Sequence, residues 1–197
     1  MNVSEKPNNI LEVKLLDFQD EFLFSKARFP LFCAGWDTGK TMMLLMKVWK
    51  YCQEYPNQYV WLIRRERVDL EDSTMRDFEK YFSVTVPSDR NFRFSNGSMI
   101  SFRHGGEITH NNLKNVNLSM AAIEQLDDFK TDEEFQMLRG RLRNANAPYT
   151  QLCATANTNG HSWFWRLWKN NPPSKEYHLI EATTFDTIEN LPQDFIE

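Results

Sequence analysis

Residues 31–41 read LFCAGWDTGKT, and the rest of the chain is organised around this stretch. Its first four residues are apolar and predict a buried strand, while GKT at 39–41 predicts a tight loop that opens a helix. A glycine lets the backbone curl, a lysine reaches the β- and γ-phosphates of a nucleotide, and a hydroxyl binds Mg²⁺. The usual GxxxxGK[ST] spacing has its first glycine where this chain has Ala34, and Gly35 comes one place late. The stretch therefore indicates a deviant Walker A loop, with an ordinary strand-turn-helix carrying an accidental GKT as the alternative.

The composition describes a globular chain. It has 197 residues, 41% of them hydrophobic, and a formal net charge of −4, which argues against a generally basic nucleic-acid coat but allows local basic patches.

Cys33, Cys52 and Cys153 lie in apolar segments without metal-ligand spacing, so we interpret them as reduced core residues of an intracellular protein. No apolar run approaches 18 residues, so no membrane span is predicted. Residues 1–10 are polar and predicted to be flexible, and 11–197 form one domain.

Apolar runs alternate with amphipathic stretches along that domain. Asn96-Gly97 between two alternating segments predicts a β-hairpin over 91–103. Helical spacing of apolar residues predicts three helices, at 11–26, 40–54 and 68–82. Continuous apolar runs predict three further strands, at 59–64, 149–155 and 177–182. This order predicts an α/β fold, a mostly parallel sheet flanked by helices, with the hairpin as an insertion beside the main sheet.

Residues 118–128, LSMAAIEQLDD, have the character of a Walker B strand. Such a strand delivers a carboxylate to Mg²⁺, and Glu124 fits because glutamate is a hard oxygen ligand. Gln125 follows where a glutamate usually polarises the attacking water; an amide can position water but cannot take up a proton. Asp127 or Asp128 could supply the base instead. An ordinary strand end is the alternative interpretation.

Other polar residues adjoin the predicted strands. Gln19 precedes the loop strand, and its amide suits the edge of an adenine, although a solvated helix glutamine is an equal alternative. Thr155 and Asn157 end a predicted strand and could sense a γ-phosphate. Arginines follow the strand at 59–64 and the stretch FQMLRGRLR; phosphate contact and ordinary solvated surface are both open for Arg64, Arg65, Arg67, Arg139, Arg141 and Arg143.

Taken together, these segments resemble the ATPase domain of phage terminase large subunits, which are DNA-packaging motors. The resemblance covers roughly residues 11–197 and rests on the order and spacing of its motifs. Those motifs are Gln19, AGWDTGKT at 34–41, FRFSNGSMISFR at 92–103, LSMAAIEQ at 118–125, FQMLRGRLR at 135–143, CATANTNGHSWFWRLW at 153–168 and TTFDTIENLPQDFIE at 183–197. The chain departs from the family at Trp36, where an arginine is common, at Gln125, and at Lys114, which stands where a trans-acting arginine is proposed.

The resemblance implies a RecA-like (ASCE) P-loop NTPase that hydrolyses ATP with Mg²⁺. It implies that Thr41 and Glu124 manage Mg²⁺, that Gln125 or a nearby acid places the water, and that Lys114 or one of Arg139, Arg141 and Arg143 acts in trans. Thr155 and Asn157 would couple loss of the γ-phosphate to DNA movement. The residues expected to bind ATP are Gln19, Ala34, Gly35, Trp36, Asp37, Thr38, Gly39, Lys40 and Thr41.

The implied partners are double-stranded DNA, the portal and procapsid, and the small terminase subunit, with a homo-oligomeric ring on assembly and a monomer in isolation. The implied location is the host-cell cytoplasm, with no membrane. Such motors carry a C-terminal nuclease that this chain lacks, so we expect no DNA cleavage. A RecA-like helicase or translocase, a nucleotide-binding module with little hydrolysis, and a plain α/β domain remain as alternatives.

Overall fold

The computed structural model describes residues 14–158 and 160–190, with side chains through residue 187. The predicted flexible segment 1–10, the first turn predicted from residue 11, Asn159 and residues 191–197 lie outside it. The strands are β1 Phe29–Ala34, β2 Tyr59–Arg64, β3 Asn91–Arg93, β4 Met99–His104, β5 Met120–Ile123, β6 Gln151–Ala156 and β7 Tyr177–Ala182.

The helices follow the predicted order, with shifted ends. The helix predicted over 11–26 is α1, Asp17–Phe24, among the described residues, whereas α2, Lys40–Glu54, has the predicted bounds. The helix predicted over 68–82 is α3, which runs through Arg67–Asp69, a π-helical stretch Leu70–Met75, and Arg76–Phe82. The remaining helices are α4 His110–Leu113, α5 Glu133–Arg139 and α6, which runs from Trp163–Trp165 into the π-helical Arg166–Asn170.

The seven strands form one sheet in the order β3-β4-β2-β5-β6-β1-β7. All neighbours pair in parallel except β3 and β4, which form the predicted hairpin. The hairpin is not an insertion beside the sheet, because β4 pairs with β2 along its whole length and extends the sheet to its edge. β6 lies between β1 and β5, so the ends of these three strands are neighbours.

Helices cover both faces of the sheet, as predicted. On one face α1, α2 and α3 pack through a core that includes Phe22, Leu44 and Phe78. On the other, α4, α5 and α6 pack through Leu113, Phe135 and Trp168. β1 and β6 are buried along their whole length, which is why they are apolar rather than alternating.

A buried lysine fastens α1 to α2. Lys47 of α2 donates hydrogen bonds to the carbonyl oxygens of Phe22, Leu23 and Ser25 at 2.9, 3.1 and 2.8 Å. The carbonyls of Phe22 and Leu23 lie in the last turn of α1, where intrahelical donors are missing, and that of Ser25 also accepts from the side-chain amide of Gln151. The contact holds α1 beside the loop that follows β1.

The three cysteines are buried and free, as predicted. Among residues 14–158 and 160–190, no helix combines the length and the apolar character that a membrane span needs.

Candidate nucleotide site

The loop between β1 and α2 explains the displaced glycine. Ala34 is fully buried as the last residue of β1, so this position is strand and does not need glycine. Gly35 is approached by the chain after β7: a Cβ here would lie 2.8 Å from the backbone nitrogen of Thr184 and would also meet that residue's hydroxyl. Gly39 begins α2 in the left-handed region at φ +79°. The loop therefore requires glycine at 35 and 39.

Lys40 is the first residue of α2, and its ammonium folds back over the loop. Nζ donates to the carbonyl oxygen of Ala34 at 3.0 Å and also to that of Gly35. Burial lowers the pKa of Lys40, and the negative charge of Asp127 acts in the opposite direction. An ammonium at a helix N-terminus, next to unbonded N–H groups, forms a positive site for phosphate.

Gln19 supports the loop from α1. Its amide nitrogen donates to the carbonyl oxygen of Thr38 at 3.0 Å, and its amide oxygen accepts from the N–H of Leu16 at 3.1 Å. The side chain is buried, and a Cβ on Gly39 would lie 2.9 Å from its nitrogen. Gln19 thus contacts the nucleotide loop itself; its contact with adenine stays a prediction.

Glu124 follows β5 and joins three elements at one carboxylate. Its Oε1 accepts a hydrogen bond from the hydroxyl of Thr41 at 2.5 Å, and its Oε2 accepts from the hydroxyl of Thr74 in α3. Nη1 of Arg64, at the end of β2, lies 3.4 Å from Oε1. The side chain is 3% exposed, so its negative charge is held by hydrogen bonds and by the guanidinium together.

Gln125 has left-handed backbone angles, φ 52° and ψ 66°. Its side-chain oxygen accepts from Nη2 of Arg64, and its backbone N–H donates to the hydroxyl of Thr155 at 3.4 Å. The predicted water-placing residue is therefore already bonded to β2 and to β6.

Asp127 connects the same loop to the end of β6. Its two carboxylate oxygens accept from the backbone N–H and the side-chain amide of Asn157, both at 3.0 Å. Asp128 lies farther along, 3.8 Å from Nε of Arg64, and burial raises its pKa while Arg64 lowers it. Of the two acids considered, Asp127 is the one whose charge acts on Lys40.

These elements surround a cavity of about 420 Å³ at the carboxyl edge of the sheet. Two aromatic side chains stand at it, Trp36 at 69% exposure and Tyr81 at 38%. The rest of the wall consists of Asp37, Thr38, Gly39, Lys40, Thr41, Met42, Gln125 and Asn157.

The basic residues expected to act in trans lie elsewhere. Lys114 is exposed just after α4. The guanidinium of Arg139 lies 5.6 Å from the ring centroid of Phe29, the first residue of β1, and Arg143 donates to Asn117 at 2.8 Å. Arg139, Arg141 and Arg143 are therefore at the amino edge of the sheet, opposite the cavity.

Sequence reasoning left Arg64 open between phosphate contact and surface, and it did not single out Thr74 or Tyr81. The signal for Arg64 was its place at the carboxyl end of a buried strand, where the side chain meets neighbouring loops. Thr74 and Tyr81 belong to a long helix without a motif, so no local signal identifies them.

The oxygen donors at this site fit Mg²⁺. The hydroxyl of Thr41 and the carboxylate of Glu124 are hard ligands already in contact, and Mg²⁺ commonly takes one or two protein ligands together with phosphates and waters. Among the residues that the structure describes, no group of three or more His, Cys, Asp or Glu side chains is placed to hold a metal by itself.

Comparison with known proteins gives a family and a fold. Residues 26–197 match the family model described as phage terminase large subunit. The chain is similar to the large terminase ATPase domain of Thermus phage P74-26, at 14% identity and a TM-score of 0.63 over 90% of this chain and 84% of that one. It is also similar to the large terminase of a thermophilic bacteriophage in complex with ADP, at 13% identity and a TM-score of 0.70 over 90% of this chain and 47% of that one.

The large terminase of bacteriophage HK97 is a third similar structure, at 12% identity and a TM-score of 0.61, over 87% of this chain and 39% of that one. The chain thus spans about half the length of the large terminase solved with ADP. No curated protein matches the chain in sequence. At these identities the structural likeness shows the fold, and it confirms the RecA-like arrangement predicted from the sequence.

Proposed function

Because the chain belongs to the phage terminase large subunit family, we propose that its carboxyl-edge cavity hydrolyses ATP to drive viral double-stranded DNA into a procapsid. One observation carries this proposal: the hydroxyl of Thr41 donates to Glu124 at 2.5 Å, although 83 residues separate them. That contact joins the phosphate-binding loop to the acidic strand end, which is the pairing that nucleotide hydrolysis needs.

We propose that the loop from Ala34 to Thr41 cradles the phosphates. Lys40 now bonds two carbonyl oxygens of its own loop, and bound β- and γ-phosphates would compete for the same ammonium. A phosphate is the stronger partner because it is fully charged. Gln19 would contact the base of the nucleotide, and its hydrogen bond to Thr38 would link the position of the base to that of the loop.

Thr41 and Glu124 would hold Mg²⁺, which supplies charge neutralisation at the β- and γ-phosphates when bound. The rest of the carboxylate's surroundings suits this role, because Thr74 and Arg64 fix its orientation from the far side. Dependence of activity on Mg²⁺ is part of the proposal.

Gln125 would orient the attacking water, and Asp127 would accept its proton. As the water oxygen bonds to the γ-phosphorus, the bond to the β–γ bridging oxygen breaks, and one water proton passes to the carboxylate. Support comes from position: of Asp127 and Asp128, Asp127 is the acid whose charge acts on Lys40, and Asn157 fixes its carboxylate through two hydrogen bonds.

Thr155 and Asn157 would report the γ-phosphate. Each is bonded to the loop after β5, Thr155 through Gln125 and Asn157 through Asp127. Loss of the phosphate would therefore change the hydrogen bonds at the end of β6. That change would shift the segment that follows the strand.

Assembly completes the proposed cycle. The chain would form a homo-oligomeric ring, in which a neighbouring copy's nucleotide is contacted by Lys114, Arg139, Arg141 or Arg143. The ring would dock on the portal together with the small terminase subunit, in the host cytoplasm. We also propose that this chain alone does not cut DNA. Incubation of plasmid DNA with the chain and Mg²⁺ or Mn²⁺ tests this, and linear or nicked products would contradict it.

Nucleotide titration tests the proposed site directly. Trp36 stands at the cavity, so we expect its fluorescence to change saturably with ADP or ATPγS, and a Lys40→Ala variant to need at least tenfold more nucleotide. Absence of saturable binding would instead favour a plain α/β domain. Binding with no hydrolysis would favour a regulatory module, and unwinding of forked DNA would favour a helicase.

A further inference from the structure

We propose that the amino edge of the sheet, opposite the ATP cavity, binds the phosphate backbone of double-stranded DNA without reading its sequence. This rests on the proposed function, because it names where this chain would hold the DNA that it moves. We call the surface the amino-edge patch. It consists of six cationic side chains: Lys26, Arg28, Arg139, Arg141, Arg143 and Lys175.

The patch is assembled from separate parts of the chain. Lys26 and Arg28 lie between α1 and β1, and Lys175 lies just before β7. The three arginines come from the end of α5 and the residues after it; the carbonyl of Arg141 accepts from the N–H of Leu118, which precedes β5. The amino ends of β5, β6, β1 and β7 are adjacent, so the six side chains share one edge of the sheet.

These cations share one edge of the sheet and have no acidic partners there in the described part of the chain. Among the described residues, none of the six forms an ion pair, whereas Lys50, Lys169 and six arginines elsewhere pair with Asp or Glu. The whole chain carries a net charge of −4, so an edge on which cations outnumber carboxylates is a local feature. An uncompensated field of this kind attracts polyanions.

A groove of about 690 Å³ lies among three of the six cations of the patch. Its lining includes Lys26, Arg28, Lys175 and Tyr149, together with the carboxylate of Glu176. Nε of Arg28 is buried there and has no hydrogen-bond partner among the described residues. A buried donor without a partner is unfavourable, so this guanidinium would gain a hydrogen bond by turning outward to a phosphate oxygen.

The spread of the charges favours a polymer over a single small anion. Four adjacent parallel strands place the patch over about 14 Å, at about 4.8 Å per strand. Double-stranded DNA presents one phosphate charge per about 1.7 Å of its axis, so several phosphates face such a row at once. The groove offers flexible cations rather than a set of aligned side-chain amides, so we infer backbone contact without base readout.

Salt dependence of DNA binding tests the patch. The test variant is Lys26→Gln/Arg28→Gln/Lys175→Gln, and the matched control is Arg67→Gln/Arg76→Gln/Arg93→Gln, which removes three exposed charges already paired within α3 or beside β3. Each is titrated with a 30-base-pair duplex of arbitrary sequence over a series of KCl concentrations, and basal ATPase is measured without DNA.

We expect the test variant to bind DNA at least tenfold more weakly. We expect its slope of log affinity against log salt to be less steep by up to about 2.7, which is about 0.9 for each phosphate that the variant no longer neutralises. The control should keep the wild-type slope. Basal ATPase should be unchanged in both variants, so failure of the patch is separable from failure of the nucleotide site.

Equal slopes for test variant, control and wild type would overturn the proposal. So would loss of ATPase with DNA affinity intact, because Lys26, Arg28 and Lys175 would then serve a neighbouring copy's nucleotide and not DNA. If the triple variant does not fold, the single exposed change Lys175→Gln serves in its place, with an expected slope change of about 0.9.

Discussion

The chemistry of the site depends most on the residue after Glu124. Gln125 cannot accept a proton, and its side-chain oxygen is already bonded to Arg64. The guanidinium therefore fixes the amide against the end of β2. An amide in this arrangement can orient a water molecule but cannot take its proton, for which we propose Asp127, held at the end of β6 by Asn157.

Replacement of Asp127 by Asn removes the proposed proton acceptor while preserving shape. We expect kcat for ATP to fall by about 10²-fold or more, because a general base contributes about 10²–10⁴-fold. Nucleotide affinity should change little. Asp128→Asn is the matched control, and we expect a smaller loss because Asp128 lies toward Arg64 rather than Lys40. Equal effects of the two substitutions would remove Asp127 from this role.

At the residue scale, the sequence predicted that Thr41 and Glu124 serve the same Mg²⁺ and therefore lie close together, because both belong to motifs with defined chemistry. It did not predict that Arg64 and Thr74 would hold the same carboxylate. Those contacts depend on which strand lies beside β5 and on the direction of α3, and neither is encoded in local spacing. The roles of the site residues themselves stay predictions.

At the scale of elements, the loop between β1 and α2 depends on its fit against the chain after β7. Gly35→Ala would push a Cβ into the backbone of Thr184, so we expect a loss of about 1–3 kcal/mol in the free energy of unfolding, as for other overpacked sites. We also expect weaker nucleotide binding. Gly140→Ala, where the nearest atoms lie at 3.5 Å or beyond, should be close to neutral. Urea unfolding measures both; equal stability of the two variants would refute the clash.

The buried Lys47 predicts a pH dependence for the α1–α2 contact. Burial lowers its pKa from 10.5 to about 8. Between these values the unfolded chain binds more protons than the folded chain, so the free energy of unfolding should rise with pH. The comparison is with Lys47→Met, which lacks this titration. The difference in stability, wild type minus variant, should increase from pH 8 to pH 10, and a decrease would contradict the low pKa.

The hairpin shows where local prediction stops. Asn96-Gly97 predicted its turn, and β3 and β4 are present, but the pairing of β4 with β2 was not predicted. A short turn determines which strands are joined, whereas the neighbour of β4 is determined by how the hydrophobic faces of the whole sheet are covered.

At the scale of the whole molecule, the carboxyl and amino edges of the sheet have different characters. The first carries the nucleotide cavity, and the second carries unpaired cations, including Arg139, Arg141 and Arg143. A head-to-tail arrangement of copies could bring Lys114 or one of these arginines to a neighbour's phosphate, as the proposed trans role requires, and would leave Lys26, Arg28 and Lys175 to the DNA.

That role predicts an ATPase rate per chain that rises with protein concentration. We expect dilute monomer to hydrolyse ATP more slowly than concentrated or assembled protein, by about 10-fold or more, since trans-acting arginines are worth about 10³–10⁵-fold where they have been measured and lysine provides less. The measurement is specific activity over a dilution series, with oligomeric state followed in parallel. A constant specific activity would exclude trans action.

We propose above all that the loop at 34–41 forms an ATP-hydrolysing site with Glu124. Its most direct test is steady-state ATPase of the wild-type chain against Lys40→Ala, at saturating ATP and Mg²⁺ and at high protein concentration. We predict a fall in kcat of about 10²-fold or more, because Lys40 would provide the charge that stabilises the transferring phosphate. The same rate for both proteins would contradict the account.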